Sequence, residues 1–266
     1  MCNSDYEGAM PARYLRHGAQ PECEPEVLDM PQLQPFWAAG FSFSRGHFKV
    51  RVPYDAYQPM VFQGEEIAIG IRGFTFGYDF YAPRESVVFH EYAVNSQRRH
   101  KVHMFWENSA NYDEKKSYKR GTAVIGMAPD LDPNEWDHSE LDRYGVGTVR
   151  DLKLFYKIFL IDAMKRKAVQ LCPFVKSGLM HRSFQPFLRS DGIGIDYSKL
   201  EDFNTRAAID AHLEKQHPEW IRRLNAAIRN RDRNLLQEAI GSAEKIGLDR
   251  KNPELVNKAR EVFSQL

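Results

Sequence analysis

FWAAGFSFSRGHFKVRVPYDAYQPMVFQGEEIAIGIRGFTFGYDFYAPRESVVFHEY runs from Phe36 to Tyr92. Aromatics, glycines and a few placed charges alternate here more densely than elsewhere in the chain. Gly40-Phe41-Ser42-Phe43-Ser44 and Phe48-Lys49-Val50-Arg51-Val52 alternate apolar with polar residues, which predicts two strands. Arg45-Gly46-His47 between them reads as a turn, and Pro53 to Pro59 as a loop holding Tyr54, Asp55 and Tyr57. Gly64-Glu65-Glu66 then opens an apolar-periodic segment, Ile67 to Phe74, read as a helix with acidic residues in its first turn, where the macrodipole favours negative charge. Asp79 to Pro83 and Val87 to His90 read as short buried strands. Strand, helix and strand in this order make an α/β unit.

Outward from this block the chain changes character three times. Residues 1–35 hold Gly8, Pro11, Pro21, Pro25, Pro31 and Pro35 among polar residues and read as loop and extended lead-in. Residues 93–120 are polar and basic, from Arg98-Arg99-His100-Lys101 to Lys115, Lys116, Lys119 and Arg120. Such a run is usually a solvated loop; its functional alternative is a phosphate-facing patch. Tyr144-Gly145-Val146-Gly147 leads into Asp151–Ala163, which has a helical period at Leu152, Phe155, Phe159 and Ala163. A Gly-x-Gly without a third glycine is weak evidence for a dinucleotide, and tight packing at a helix start is the better reading. Residues 172–204 read as an irregular linker or wrapping loop. From 205 the period is helical to the end, with breaks at Pro218, Gly247 and Asn252-Pro253, which predicts a small helical module.

Composition bounds the function. The chain has 266 residues and is 42% hydrophobic, enough for a substantial folded domain and an appendage. A net charge of +1 gives no electrostatic case for nucleic acid or an acidic membrane surface. No apolar run is long enough to span a bilayer, nor does the amino terminus carry a signal-peptide core. The three cysteines, Cys2, Cys23 and Cys172, are odd in number and widely spaced, which argues against a disulfide framework and a cysteine-built zinc site. The expectation is a reducing, cytoplasmic setting without membrane or nucleic-acid partners. Aromatics make up 12% and cluster in the first half, which suits a site stacking on a ring-shaped ligand, although core bulk accounts for most of them.

The residues alone license a concave site with carboxylates and one imidazole, lined by aromatics and fit for a polyhydroxylated ligand. On a helix, Glu65 and Glu66 point about 100° apart, so only one of them can address a given atom. Asp79 lies between aromatics, where it can fix a loop or accept from a sugar hydroxyl. His90 follows three apolar residues, and a lone histidine there is more often a hydrogen-bonded core residue than a ligand.

The ordered set Trp37 to Phe48, Val52-Pro53-Tyr54-Asp55, Phe62 to Ile67, Tyr78 to Pro83 and Val87 to His90, with Phe105-Trp106-Glu107 and Tyr144 to Gly147, resembles one N-acetylglucosaminyltransferase family. That family includes the cytoplasmic enzymes that modify hydroxyproline on the adaptor subunit of SCF-type ubiquitin ligases. The resemblance spans roughly Phe36 to Ala163. It implies a GT-A fold, a UDP-N-acetylglucosamine donor, a protein acceptor, a divalent metal (Mn or Mg) and transfer with retention. It also implies roles: His90 as a metal ligand, Glu65 or Glu66 on the acceptor side, and Arg45 and His47 near the donor or its diphosphate. Trp37 and Phe41 would shape the sugar pocket, with Asp79 and Trp106 beside it. A GT-A enzyme also has a nucleotide-binding N-terminal half carrying Asp-x-Asp or Asp-x-His, and no such motif precedes Phe36. The expectation is therefore a partial GT-A domain: lead-in 1–35, catalytic portion 36–171, linker 172–204 and helical module 205–266. The alternative is a non-catalytic glycan- or protein-binding relic of that fold.

Overall fold

A computed structural model describes residues 2–8, 13–18, 32–62, 64–83, 87–88, 114–176, 178–191, 194–200, 203–245 and 247–266. The chain divides into two units, Met1–Phe203 and Asn204–Leu266.

In the first unit the central element is helix α2, Gly64–Thr75, and every residue from Ile67 to Thr75 is buried. A helix buried all round must be covered on every side. It packs against strand β2 (Tyr14–His17) and helices α3 (Glu114–Val124) and α5 (Leu152–Ile158), between which the chain forms the short helix α4 (Leu141–Tyr144). Ile67, Ile71 and Phe74 of α2 are sealed with Phe36, Phe155 and Ile158, and the rings of Phe74 and Phe155 meet edge to face at 5.2 Å. The described strands pair antiparallel, two by two: β1 (Ser4–Glu7) with β2, β3 (Gln32–Gln34) with β4 (Phe80–Ala82), and β5 (Ile161–Asp162) with β6 (Lys167–Ala168).

Several expectations change here. Residues 40–44 form no strand, and Phe48 to Arg51 lie in a short helix, α1 (His47–Arg51). Phe48 and Val52 are buried four residues apart, whereas Val50, which a strand would bury with them, is 80% exposed. Residues Ser4–Glu7 and Tyr14–His17 of the lead-in make a hairpin rather than loop. The span read as an irregular linker contains helices α6 (Cys172–Lys176) and α7 (Leu179–Phe184). Arg120, read as part of a solvated charge run, is wholly buried on α3: it donates to Asp55 Oδ2 (2.7 Å) and to the carbonyls of Asp137 (2.5 Å) and Ser139 (2.8 Å). The Gly-x-Gly is a packing device. A Cβ on Gly147 would stand 2.7 Å from the Thr75 carbonyl oxygen, and the Gly147 N–H donates to Thr75 Oγ1.

Cys2 and Cys172 form a disulfide across 170 residues. Sequence spacing hides their approach, because β1 runs alongside the chain entering α6, where the Cys172 N–H donates to Asn3 Oδ1 (3.0 Å). The cysteine argument for a reducing compartment falls with this bond. No helix among the described residues is long and apolar enough to cross a membrane.

The second unit consists of helices α8 (Thr205–Glu214), α9 (His217–Asn230), α10 (Arg233–Lys245), α11 (Leu248–Lys251) and α12 (Pro253–Ser264). Leu224, Ala227, Leu236, Ala239, Ala243, Val256 and Ala259 form its core. Asn204 and Asn252 cap α8 and α12 through their side-chain oxygens, and Pro218 sits in the first turn of α9, where a missing N–H costs nothing.

Candidate functional site

The amino-terminal turn of α2 places the two adjacent glutamates in different surroundings. Glu65 lines a cavity of about 30 Å³ with Tyr54, Asp55, Gln58, Arg72 and Tyr144. That is room for roughly one water or hydroxyl group. Its Oε2 is buried and has no hydrogen-bond partner among the described residues. Burial pushes its pKa up to about 7, and the charge of Glu66 adds to the rise. Arg72, two turns further along α2, is only 2% exposed; it donates to the carbonyls of Pro53 (2.6 Å) and Gly145 (3.2 Å). Burial lowers its pKa to about 10, so it stays charged at neutrality.

Glu66 faces the chain that precedes α1. Its Oε1 accepts from the Ala39 N–H at 2.6 Å. Its Oε2 lies 3.4 Å from Nε2 of His17, the last residue of β2. Burial raises the pKa of Glu66 as well, against the opposing hydrogen bond from Ala39. At 3.4 Å a charged Glu66 would pull the imidazole pKa upward. Burial prevails, and His17 falls to about 4 and is neutral.

Beside the glutamates lies an aromatic groove of about 150 Å³, lined by Trp37, Phe48, Lys49, Val52, Pro53, Tyr54 and Ile69. The rings of Trp37 and Tyr54 meet edge to face at 6.0 Å. Tyr54 borders both groove and cavity, and burial and the two glutamates raise its pKa. Gly70 makes this wall possible: a Cβ there would stand 3.2 Å from the Trp37 backbone nitrogen and 3.5 Å from Phe36 Cα. The backbone at Phe36-Trp37 therefore lies directly on α2.

The structure thus brings together Trp37, Glu65 and Glu66 of the residues singled out from sequence. Phe41 and Arg45 stand exposed on the connection between Trp37 and α1, and Phe43 beside them is 95% exposed. His47 stacks on Tyr78, with Nδ1 2.7 Å from the phenol oxygen. Asp79 has a structural partner set, since its Oδ1 accepts from Arg150 (2.8 Å) and its Oδ2 from the Ile195 N–H (3.2 Å). Of its two readings, fixing a loop is the one this geometry displays. His90 and Trp106 lie outside the described residues. Sequence reasoning missed Tyr54 and Arg72 as site residues, and missed His17 altogether. Tyr54 carried a signal, being an aromatic in a loop just before the acidic helix start.

Among the described residues no group of three histidine, cysteine, aspartate or glutamate side chains is placed to hold a metal ion. Glu66 and His17 are only two such groups, and His17 Nε2 is already engaged by the Trp37 carbonyl oxygen at 3.0 Å.

No curated protein and no solved structure matches the chain. The sequence pattern of one family, described as Glycosyltransferase (GlcNAc), matches residues 1–165, a span that takes in the hairpin, the groove and all of α2. With more than half its length inside that match, the chain belongs to the GlcNAc glycosyltransferase family.

Proposed function

We propose that the chain transfers N-acetylglucosamine from UDP-N-acetylglucosamine to a hydroxyl of a protein acceptor, of the hydroxyproline type, with retention at the anomeric carbon and on a GT-A scaffold. Family membership supports the sugar and the reaction class. The observation that carries the site assignment is Glu65, a half-buried carboxyl whose buried Oε2 has no hydrogen-bond partner among the described residues, in a cavity adjoining an aromatic groove. An acceptor hydroxyl donating to Oε2 would complete the hydrogen bonding of that oxygen. A pKa near 7 lets the same carboxyl take up or release a proton at neutral pH. Trp37, Phe48 and Tyr54 offer apolar faces to a sugar ring and its acetyl methyl.

The divalent ion implied by the resemblance, Mn or Mg, belongs to this proposal. Its ligand His90 lies outside the described residues, and no step here runs through the ion. When bound, it would neutralise charge on the departing diphosphate.

The test is incubation of the full chain with UDP-N-acetylglucosamine, Mn and a hydroxyproline peptide, with mass spectrometry of the peptide and NMR of the new linkage. Glu65→Gln should lower turnover by about a hundredfold, the usual scale for a general acid–base group. A wild-type chain that binds N-acetylglucosamine without transferring it, with and without Mn, would overturn the proposal in favour of the glycan-binding alternative.

A further inference from the structure

His17 belongs to none of the motifs that carry the family resemblance, yet it touches the site at two points. Its side chain is 4% exposed, and its ring meets Phe36 edge to face at 5.8 Å. Nε2 lies 3.0 Å from the Trp37 carbonyl oxygen and 3.4 Å from Glu66 Oε2. The other oxygen of Glu66 accepts from the Ala39 N–H at 2.6 Å. These contacts close a ring: imidazole to Trp37, along Trp37-Ala38-Ala39 to the carboxylate, and back to the imidazole. Nε2 thus meets the Trp37 carbonyl at hydrogen-bonding distance, with Glu66 Oε2 next to it.

The carrier of this histidine is itself held. His17 pairs with Ser4 in the β1–β2 register, and the Gly18 N–H donates to the Asn3 carbonyl at 3.1 Å. Gln170 donates to Asp5 Oδ1 at 2.8 Å, and Cys2 is bonded to Cys172. The hairpin is thus fastened at its open end, the end that carries His17.

We infer that His17 is a positioning residue: its Nε2 is hydrogen-bonded to the Trp37 carbonyl and packs against Glu66 Oε2, and so sets the indole on the groove wall and the attitude of Glu66. A side chain that only filled space there would be replaceable by any ring of similar size. A hydrogen-bonding nitrogen is not, because its removal leaves the Trp37 carbonyl short of a partner. This assignment of effect on turnover rests on the proposed transferase reading. The geometric part does not.

The experiment uses the full chain in a Trp106→Phe, Trp136→Phe, Trp220→Phe background, so that Trp37 is the sole indole. Emission of Trp37 in that background reports the groove wall, and hydrolysis of UDP-N-acetylglucosamine by the same His17 variants with all four tryptophans in place reports the reaction. Three replacements are compared. His17→Gln carries an amide N–H to the position of Nε2, His17→Asn carries the same group one methylene short, and His17→Phe keeps the ring without the donor. His17→Phe and His17→Asn should shift Trp37 emission and lower kcat/KM about tenfold, the scale of one hydrogen bond. His17→Gln should restore both. Should His17→Phe fail to fold, the comparison of His17→Gln with His17→Asn decides alone, since both are polar amides. Equal emission and equal turnover across the folded variants would overturn the inference. If the chain with all four tryptophans does not turn over the donor, the transferase reading fails, and the emission comparison still decides the role of His17.

Discussion

Glu65 and His17 have pKa shifts of opposite sign in nearly the same pH window, so removing either should reveal a slope in stability that the pair conceals. Burial raises Glu65 from 4.5 to about 7 and lowers His17 from 6.5 to about 4. Between about pH 4.5 and 7 the folded chain holds a proton on Glu65 that the unfolded chain has released, so this group makes stability fall as pH rises. Between about pH 4 and 6.5 the unfolded chain holds a proton on His17 that the folded chain lacks, so this group makes stability rise with pH. Each unmatched proton is worth up to about 1.4 kcal/mol per pH unit, and over these windows each group amounts to at most about 3 kcal/mol. Glu65 retains some solvent exposure, and screening reduces its share to about 2 kcal/mol. In the wild type the two slopes largely cancel. Glu65→Gln should therefore gain about 2 kcal/mol relative to wild type between about pH 4.5 and 7, with most of the difference present at the upper end. His17→Gln should show the reverse trend. Urea denaturation at pH steps across this window measures both. Carboxylates remote from the site are common to every protein compared and drop out of the differences. A Glu65→Gln protein whose stability parallels wild type across the window would refute the buried, proton-holding Glu65 and with it the basis for its role in the site.

Two other perturbations probe the frame that holds the site. The Cys2–Cys172 bond closes a 170-residue loop, and on the chain-entropy account its loss costs about 5 kcal/mol, with about 2–5 the usual range; Cys2→Ser should lower the urea midpoint of the first unit, and an unchanged midpoint under dithiothreitol would show that the hairpin is held by its hydrogen bonds alone. Gly70→Ala would ordinarily stabilise a helix by about 1 kcal/mol, but its Cβ would press on the Trp37 backbone nitrogen at 3.2 Å, where overpacking costs about 1–3 kcal/mol. The expected outcome is a net loss of stability with altered Trp37 emission, and a stabilised protein would mean that Phe36-Trp37 does not lie on α2 as described.

What could be read from the sequence, and what could not, follows from how local each signal is. Helix α2 announced itself because its start, its charge placement and its period lie within twelve residues, and the helices of the second unit did so through caps and prolines of their own. Phe48-Lys49-Val50-Arg51-Val52 misled because residues at i and i+4 satisfy a strand and a helix alike; Val50 alone distinguishes them, and whether it is buried is decided by tertiary packing. The hairpin at 4–17 has four-residue strands and takes its stability from partners more than 150 residues away, Gln170 and Cys172, which no local window contains. For the same reason an odd cysteine count with wide spacing could not disclose the disulfide.

The candidate site divides along the same line. That carboxylates at the start of α2 and an indole at position 37 belong to one place was legible, because helix polarity and aromatic clustering are written in order along the chain. Which glutamate does what was not, since adjacent helical positions differ only by rotation and the surroundings alone separate them: a cavity with Arg72 and Tyr54 for Glu65, a backbone N–H and an imidazole for Glu66. His17 is the strongest case. In sequence it is a histidine in a polar lead-in, with nothing to distinguish it from the others. Its meaning comes from a hairpin that delivers a neutral imidazole to the stretch of backbone, Trp37 to Ala39, that Glu66 also holds. A family pattern that begins at residue 1 agrees with a lead-in that forms part of the domain, and the physical content of that agreement is the clamp that His17 and Glu66 make on the groove wall.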